Sequence, residues 1–319
     1  MSQPHSLSEQ VRAYASTHLA AASLSLVSDT NNLVFRVDRE RGAPVALRVI
    51  LDRDIDLEMS RDLERHLSDR VRFARTLDID TRRDLIDHDV VICEWAPGRT
   101  MADLVAERGF EEEISEAYGD LGASMLRACE EISPPREGYG HYKIGRALSP
   151  TLSAFYTEAV ERYAIRVAAV APVLDGVDVA RASQSLSRFL VAIGDNAPPR
   201  GVAPVDVNLK NFVCSDDGAI TVLNVPMIAR TTPSHGLAAF VFQARGRQRR
   251  DQIYRRLNGG TPSEDGTRSV SAFEAFYALG VLAYCARDGR EAVEQSVAWG
   301  SQLTLREIFV TALREAELV

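Results

Sequence analysis

The sequence predicts an α+β fold in two lobes, a small N-terminal lobe built on an antiparallel sheet and a larger, mostly helical C-terminal lobe. Three observations predict it. Apolar residues alternate within the first hundred positions, at Leu33, Phe35 and Val37 and again at Val45 and Leu47. A chain break follows at Ala96-Pro97-Gly98. Beyond it the apolar spacing becomes helical, interrupted by one hairpin around Phe212–Cys214 and Ala219–Leu223. The expected parts are residues 1–97 and 98–319.

Taken in order, Ser6 and Glu9 have capping-box spacing ahead of a helix carrying Val11, Tyr14 and Leu19 on one side. A weak strand is expected over Ser23–Val27. Two stronger strands flank the turn-prone Asp38-Arg-Glu-Arg-Gly-Ala-Pro44. A charged helix is expected over 56–77, with Leu57, Leu63, Leu67, Val71 and Ala74 toward a core. Asp89–Trp95 reads as a buried strand. Helical patterns then cover 100–131, 152–170, 180–193, 272–287 and 296–318. Asp216-Asp217-Gly218 is a hairpin turn. Asn258–Gly266 reads as a mobile loop, because its residues favour turns over helix.

Composition narrows the function classes. The formal net charge is −8 and the pI about 5.4, which disfavours a dedicated nucleic-acid binder. The arginines from Arg245 to Arg256 are read as a solvated helix face, with a local basic patch as the alternative. Cys93, Cys129, Cys214 and Cys285 lie far apart without a CxxC pair, which points to reduced thiols rather than structural zinc. His66, His88, His141 and His235 show no metal spacing, and no G-x-S-x-G elbow occurs. The N-terminus lacks the basic and apolar regions of a signal peptide, and no apolar stretch of transmembrane length is read, so a cytoplasmic location without a membrane is expected.

Four segments carry the chemistry. The first is Asn32-Leu-Val-Phe-Arg-Val with Ala46-Leu-Arg48-Val. The second is Val90-Val-Ile-Cys-Glu94-Trp95-Ala96-Pro-Gly. The third is Gly138-Tyr-Gly-His-Tyr142. The fourth is Pro204-Val-Asp206-Val-Asn-Leu-Lys-Asn211, followed by Ile220-Thr-Val-Leu-Asn224. Together they resemble the aminoglycoside phosphotransferase and choline kinase family, whose fold is protein-kinase-like. The fourth resembles its "H-G-D-x-x-x-x-N" loop and the following "v-I-D-f" strand.

The resemblance implies a nucleotide site and a metal site. Arg48 stands where the third strand usually holds a phosphate-binding lysine. Glu64 is the first candidate for the carboxylate that orients it, and Glu58 the second. Asn32 belongs to the same nucleotide-facing strands, and Glu94, Trp95 and Ala96 would line the adenine slot. Asp206 matches the residue that orients or deprotonates the acceptor hydroxyl, while Asn211 and Asn224 match the metal ligands. ATP or GTP with Mg²⁺ or Mn²⁺ is implied.

The sequence departs from the pattern at several points. Pro204 and Val205 replace the histidine and glycine before Asp206, and the turn Ser28-Asp-Thr-Asn31 lacks the glycine that eases backbone approach to phosphate. Gly236 stands where an aspartate usually braces the catalytic loop. Asn224 replaces the principal metal aspartate, removing one negative charge from a site that favours charged oxygen ligands. Two functional readings follow. One is an active phosphotransferase acting on a hydroxyl of a small molecule, or on Ser or Thr of a natural-product precursor peptide with a lyase as partner. The other is a pseudokinase that binds or scaffolds a peptide or protein without phosphoryl transfer.

Overall fold

The computed structural model describes residues 6–29, 32–51, 55–143, 147–196, 201–225, 227–246, 249–297 and 303–319. The chain forms two compact units. One comprises Met1–Gly98 with Lys143–Gly145 and Thr221–Val225; the other comprises Arg99–Tyr142, Arg146–Ile220 and Pro226–Val319.

The first unit opens with α1 (Leu7–Leu19), which has the expected Ser6–Glu9 capping box. It continues with β1 (Ala21–Asp29), β2 (Asn32–Arg39), β3 (Val45–Ile50), α2 (Leu57–Leu67), β4 (Thr76–Asp80) and β5 (Asp89–Glu94). The five strands form one antiparallel sheet in the order β1-β2-β3-β5-β4. Alternation sorts their side chains onto two faces. Val45, Leu47 and Val49 join Phe35, Val37, Val90 and Ile92 beneath Val11, Tyr14 and Ala15 of α1. Ile50, Val91 and Cys93 lie on the other face with Ala46, Leu57 and Ile79. Arg48 shares this second face, opposite Val91 and two residues from Ala46.

The charged helix is shorter than expected. α2 stops at Leu67, and the chain returns as β4 on the free edge of β5. Val71 and Ala74 are buried as expected, but in the connection between α2 and β4 rather than on a helix. Their helical spacing masked the alternation of Thr76-Leu-Asp-Ile-Asp80. Asp80 ties β4 to α1, accepting from the Tyr14 hydroxyl at 3.1 Å and from Arg82 at 3.0 and 2.7 Å. The Arg82 guanidinium, helped by Tyr14, holds the Asp80 carboxyl well below the usual carboxylate range despite its burial.

The second unit is largely helical. It begins with β6 (Arg99–Thr100), α3 (Met101–Arg108) and α4 (Glu112–Glu130), so the pattern over 100–131 is two helices divided at Gly109. Next come β7 (Gly140–His141), α5 (Leu152–Val170), β8 (Val173–Leu174), β9 (Val177–Asp178), α6 (Val179–Asn196) and β10 (Ala203–Pro204). The predicted hairpin follows as β11 (Phe212–Cys214) and β12 (Ile220–Val222), turning at Ser215–Ala219. β13 (Ile228–Arg230) then leads into α7 (Pro233–Gln243), α8 (Arg250–Asn258), α9 (Glu264–Cys285), α10 (Arg290–Gln295) and α11 (Leu305–Glu315). β10, β13 and β7 make a small sheet in that order.

Three expectations change in this unit. The loop over 258–266 ends early, because Ser263 caps α9 by accepting from the Gly266 N–H at 3.1 Å. The helix over 296–318 is confined to α11, which Thr304 starts with a capping box, while residues 298–302 lie outside the described residues. By length and composition, α9 is apolar enough to cross a bilayer, contrary to the sequence reading. It is also the central core helix of the unit, packing against α5, α6, α7 and α11 with Phe273, Ala275, Leu279 and Leu282 buried.

Within the arginine run, Arg245 and Arg250 are drawn inward rather than standing on a solvated face or in a basic patch, while Arg255 and Arg256 are exposed. Arg245 and Arg250 converge on Glu274, which is fully buried on α9. Arg245 also contacts Glu315 of α11 at 2.7 Å. Arg256 grips Asp120 at 2.6 Å and Glu116 at 3.1 Å on α4. Arg247 lies outside the described residues. All four cysteines are free, with Cys93 and Cys129 buried.

Candidate functional site

In the first unit, Arg48 is half-buried on β3 between Val34 and Val91. Among the described residues it has no carboxylate partner, and the expected Arg48–Glu64 ion pair is not formed. The Glu64 carboxylate instead accepts from the Thr76 N–H at 2.8 Å and the Thr76 hydroxyl at 2.5 Å, which fastens α2 to β4. Glu58, the second candidate, pairs with Arg61. Arg48 lies beside Cys93, whose thiol burial pushes up and whose neighbours Arg48 and Thr76 pull the other way. A half-buried guanidinium without a counter-ion suits a phosphate, because its planar fork can still take a bidentate anion.

The other predicted residues of this unit are structurally engaged. The Asn32 side chain accepts from the Leu51 N–H at 3.3 Å, clamping β2 to the end of β3. Glu94 receives Arg75 at 2.8 Å, and its own N–H donates to the Arg75 carbonyl. Trp95 lies under the Arg36 guanidinium, 5.2 Å from the ring centre, and Ala96 is half-buried next to it. Asn224 lies two residues past Val222, which is fixed by an N–H bond to the Arg72 carbonyl at 2.8 Å and accepts from Ala74 at 2.9 Å. Within the glycine-free turn, Thr30 and Asn31 lie outside the described residues.

In the second unit, Asp206 lies two residues past the end of β10. The alternation of Val205, Val207 and Leu209, all buried, turns Asp206 outward to solvent. Val205 donates to the Met227 carbonyl at 2.8 Å, so the strand pairing with β13 persists to the residue before it. The loop then closes on itself. Asn208 accepts from the Lys210 N–H at 3.0 Å, and Asn211 donates to the Asn208 carbonyl at 2.9 Å within a 3₁₀ turn. Phe212, fully buried against Tyr118, anchors the far end. The five-residue spacing from Asp206 to Asn211 is therefore a built turn.

The missing brace has a steric counterpart. A Cβ on Gly236 would lie 2.7 Å from the Ala203 Cβ and 3.1 Å from Leu126, so α7 packs on β10 where a side chain would stand. An aspartate at 236 has no room, and Pro204 has no N–H to offer one. What fills the region is a polar aromatic cluster that the sequence did not single out. His235 is fully buried, stacked on Phe273 at 4.8 Å. Its Nδ1 is 2.8 Å from the Thr231 hydroxyl, which also meets Tyr156. The Tyr277 hydroxyl donates to the His235 carbonyl at 3.3 Å; burial, with the charges of Tyr156 and Asp206 adding, makes it a much weaker acid than an ordinary tyrosine. Helical spacing on an apolar segment hid His235, because a buried histidine and a surface one look alike in sequence.

Burial, reinforced by His141, holds His235 neutral to well below the ordinary histidine range. Below about pH 6.5 the unfolded chain takes up a proton that the native state refuses, so stability should fall with acidification, by up to about 1.4 kcal/mol per pH unit. Urea unfolding of wild type and His235→Gln between pH 7 and 5 checks this: the variant should lose less stability on acidification.

Among the described residues no three His, Cys, Asp or Glu side chains gather as a metal centre. The amide oxygens of Asn211 and Asn224 are neutral hard donors. Each, taken singly, is the kind of oxygen a divalent cation accepts.

By sequence, no family model and no curated protein matches the chain. By structure, it is similar to the aminoglycoside phosphotransferase APH(4)-Ia, with a TM-score of 0.71 and 17% identity over 97% of this chain and 99% of that one. A choline/ethanolamine kinase family protein from Mesorhizobium loti gives 0.63 and 15%, covering 98% and 95%. An amicoumacin kinase, hAmiN, solved with AMP-PNP, Ca²⁺ and Ami, gives 0.62 and 11%, covering 97% and 95%. The fold is thus the aminoglycoside phosphotransferase and choline kinase fold that the four segments implied.

Proposed function

We propose that this chain, carrying that fold, is a phosphotransferase that moves the γ-phosphoryl group of ATP or GTP to a hydroxyl of a small molecule. The observation that supports it best is the intact turn from Asp206 to Asn211, built on β10 and β13 with the carboxylate facing solvent. The solved neighbours are phosphotransferases and kinases, and one of them is held with AMP-PNP. In the reaction the acceptor oxygen forms a bond to the γ-phosphorus as the bond to the bridging oxygen breaks, releasing the nucleoside diphosphate. Asp206 orients the acceptor hydroxyl and takes its proton. Arg48 holds nucleotide phosphate oxygens, and Asn211 with Asn224 would hold the divalent ion. That ion, when bound, neutralises charge on the phosphates. Glu94, Trp95 and Ala96 are assigned to the adenine and Asn32 to the strand ends beside it. Glu64 acts on this site through β4, by fixing Thr76.

The pseudokinase reading keeps specific support from Asn224, Pro204 and the closed-up space at Gly236. Asn224→Asp separates the two. It restores the missing charge, so ATP turnover should rise about tenfold, equivalent to ~1.4 kcal/mol of barrier, and half-maximal Mg²⁺ should fall. ATP consumption against Mg²⁺ concentration reads both. If neither wild type nor Asn224→Asp consumes ATP with any hydroxyl acceptor, the pseudokinase reading takes over.

A further inference from the structure

The first turn of α7 is fastened from three sides, and it lies against the strand that leads to Asp206. His235 is held at three of its own groups. Its N–H donates to the Thr232 carbonyl at 3.1 Å, its Nδ1 lies 2.8 Å from the Thr231 hydroxyl, and its carbonyl accepts from the Tyr277 hydroxyl at 3.3 Å. The Tyr156 hydroxyl meets the Thr231 hydroxyl and stands 3.3 Å from the same Nδ1. Thr231, Tyr156 and His235 are each 1% exposed or less. The end of β13, α5 and α9 therefore all reach this one residue. In a dry interior such a cluster keeps one geometry, because breaking a bond strands a buried donor or acceptor.

The residue after His235 carries this rigidity to the loop. Gly236 presses on β10 so closely that a Cβ would stand 2.7 Å from the Ala203 Cβ and 3.5 Å from the Pro204 carbonyl oxygen. On β13, Ala229 and Ile228 pair with Ala203 and Pro204, and the Met227 carbonyl accepts from Val205. The backbone is thus held between β13 and α7 up to the residue before Asp206. We propose that His235 is a positioning residue for Asp206. Locked by Thr231, Tyr156 and Tyr277, it fixes the seat of α7 on β10 and with it the aim of the carboxylate. The family pattern places a bracing aspartate at position 236; here the preceding residue braces, through packing on the strand instead of a bond to the loop. The Tyr277 hydroxyl also feels the Asp206 charge, which places both near the same end of β10. A misplacement of about 1 Å far from the chemistry can cost about 10²-fold in rate. The positioning role rests on the phosphotransferase reading; the lock on the loop does not.

Thr231→Val removes the hydroxyl and keeps the shape, whereas Thr231→Ser keeps the hydroxyl and drops a methyl. ATP consumption would be measured with the hydroxyl acceptor that wild type uses fastest. Thr231→Val should lower kcat about tenfold or more with the nucleotide KM unchanged, and Thr231→Ser should stay near wild type. In an Asp206→Ala background, Thr231→Val should add no further loss, since both act on one group. A wild-type kcat in Thr231→Val, an equal loss in Thr231→Ser, or a full further loss in the Asp206→Ala background overturns the role. Should Thr231→Val fail to fold, Tyr277→Phe takes its place, because the His235 carbonyl stays within α7. Should wild type consume ATP with no acceptor, the phosphotransferase reading falls, and amide hydrogen exchange still judges the lock. Amides over 205–211 should exchange about tenfold faster in Thr231→Val than in Thr231→Ser, with those of α11 unchanged. Equal exchange over 205–211, or a rise shared by α11, overturns it.

Discussion

Asp206→Ala is expected to lower the rate of phosphoryl transfer by about 10²–10⁴, the range for losing a positioned general base. The fold should not notice the change. Asp206 faces solvent, and the burial of the loop depends on Val205, Val207 and Leu209. Nucleotide binding should also persist, since Arg48 and the residues assigned to adenine are untouched. Single-turnover kinetics alongside a melting curve separates these effects. An unchanged rate at unchanged stability would move the chemistry away from Asp206. A lost rate with a lowered melting temperature would indicate a structural role for the loop.

Glu274→Ala is expected to give the largest loss of stability, about 3–5 kcal/mol, the usual cost of removing one partner from a buried ion pair. Glu274 is fully buried, and Arg245 is 3% exposed. Without the carboxylate, both arginines would lose their fully buried counter-charge, and Glu315, which both also approach, is 42% exposed. Glu274→Gln should recover part of the loss by keeping an acceptor oxygen. Urea unfolding of both variants reads the difference. A loss below about 1 kcal/mol would mean that Arg245 and Arg250 reach water or other partners readily, as exposed pairs do.

Periodicity and punctuation made much of the fold legible. Strict alternation around Leu33–Val37 and Val45–Leu47 became β2 and β3, and the spacing over 152–170 became α5 residue for residue. Errors fell where two periods compete over a few residues. Val71 and Ala74 continue a helical register past Leu67, which hid the five-residue strand at Thr76–Asp80. The polar residues Glu264, Asp265 and Gly266 resemble loop, yet Ser263 recruits them as a first helical turn.

Positions within the candidate site were readable because spacing carries them, as from Asp206 to Asn211. Partners were not readable. Nothing in the sequence says that Glu64 turns to Thr76 instead of Arg48, since the choice depends on where β4 docks. Nor does charge pattern reveal that Arg245 and Arg250 turn inward, because the carboxylates they share, Glu274 and Glu315, lie 24 to 70 residues away. Tyr277 and His235, on separate helices, meet only in three dimensions.

Metal-dependent nucleotide binding is the most direct test of phosphoryl transfer. Thermal unfolding would be followed with ATP and with GTP, each with and without Mg²⁺ or Mn²⁺. A ligand at a hundredfold excess over its Kd stabilises the folded state by about 2.7 kcal/mol, which raises the melting temperature of a chain this size by a few degrees. A rise that appears with nucleotide and metal together, and that Arg48→Gln reduces, is the predicted result. An unchanged melting temperature with every nucleotide and metal would contradict phosphoryl transfer by this chain.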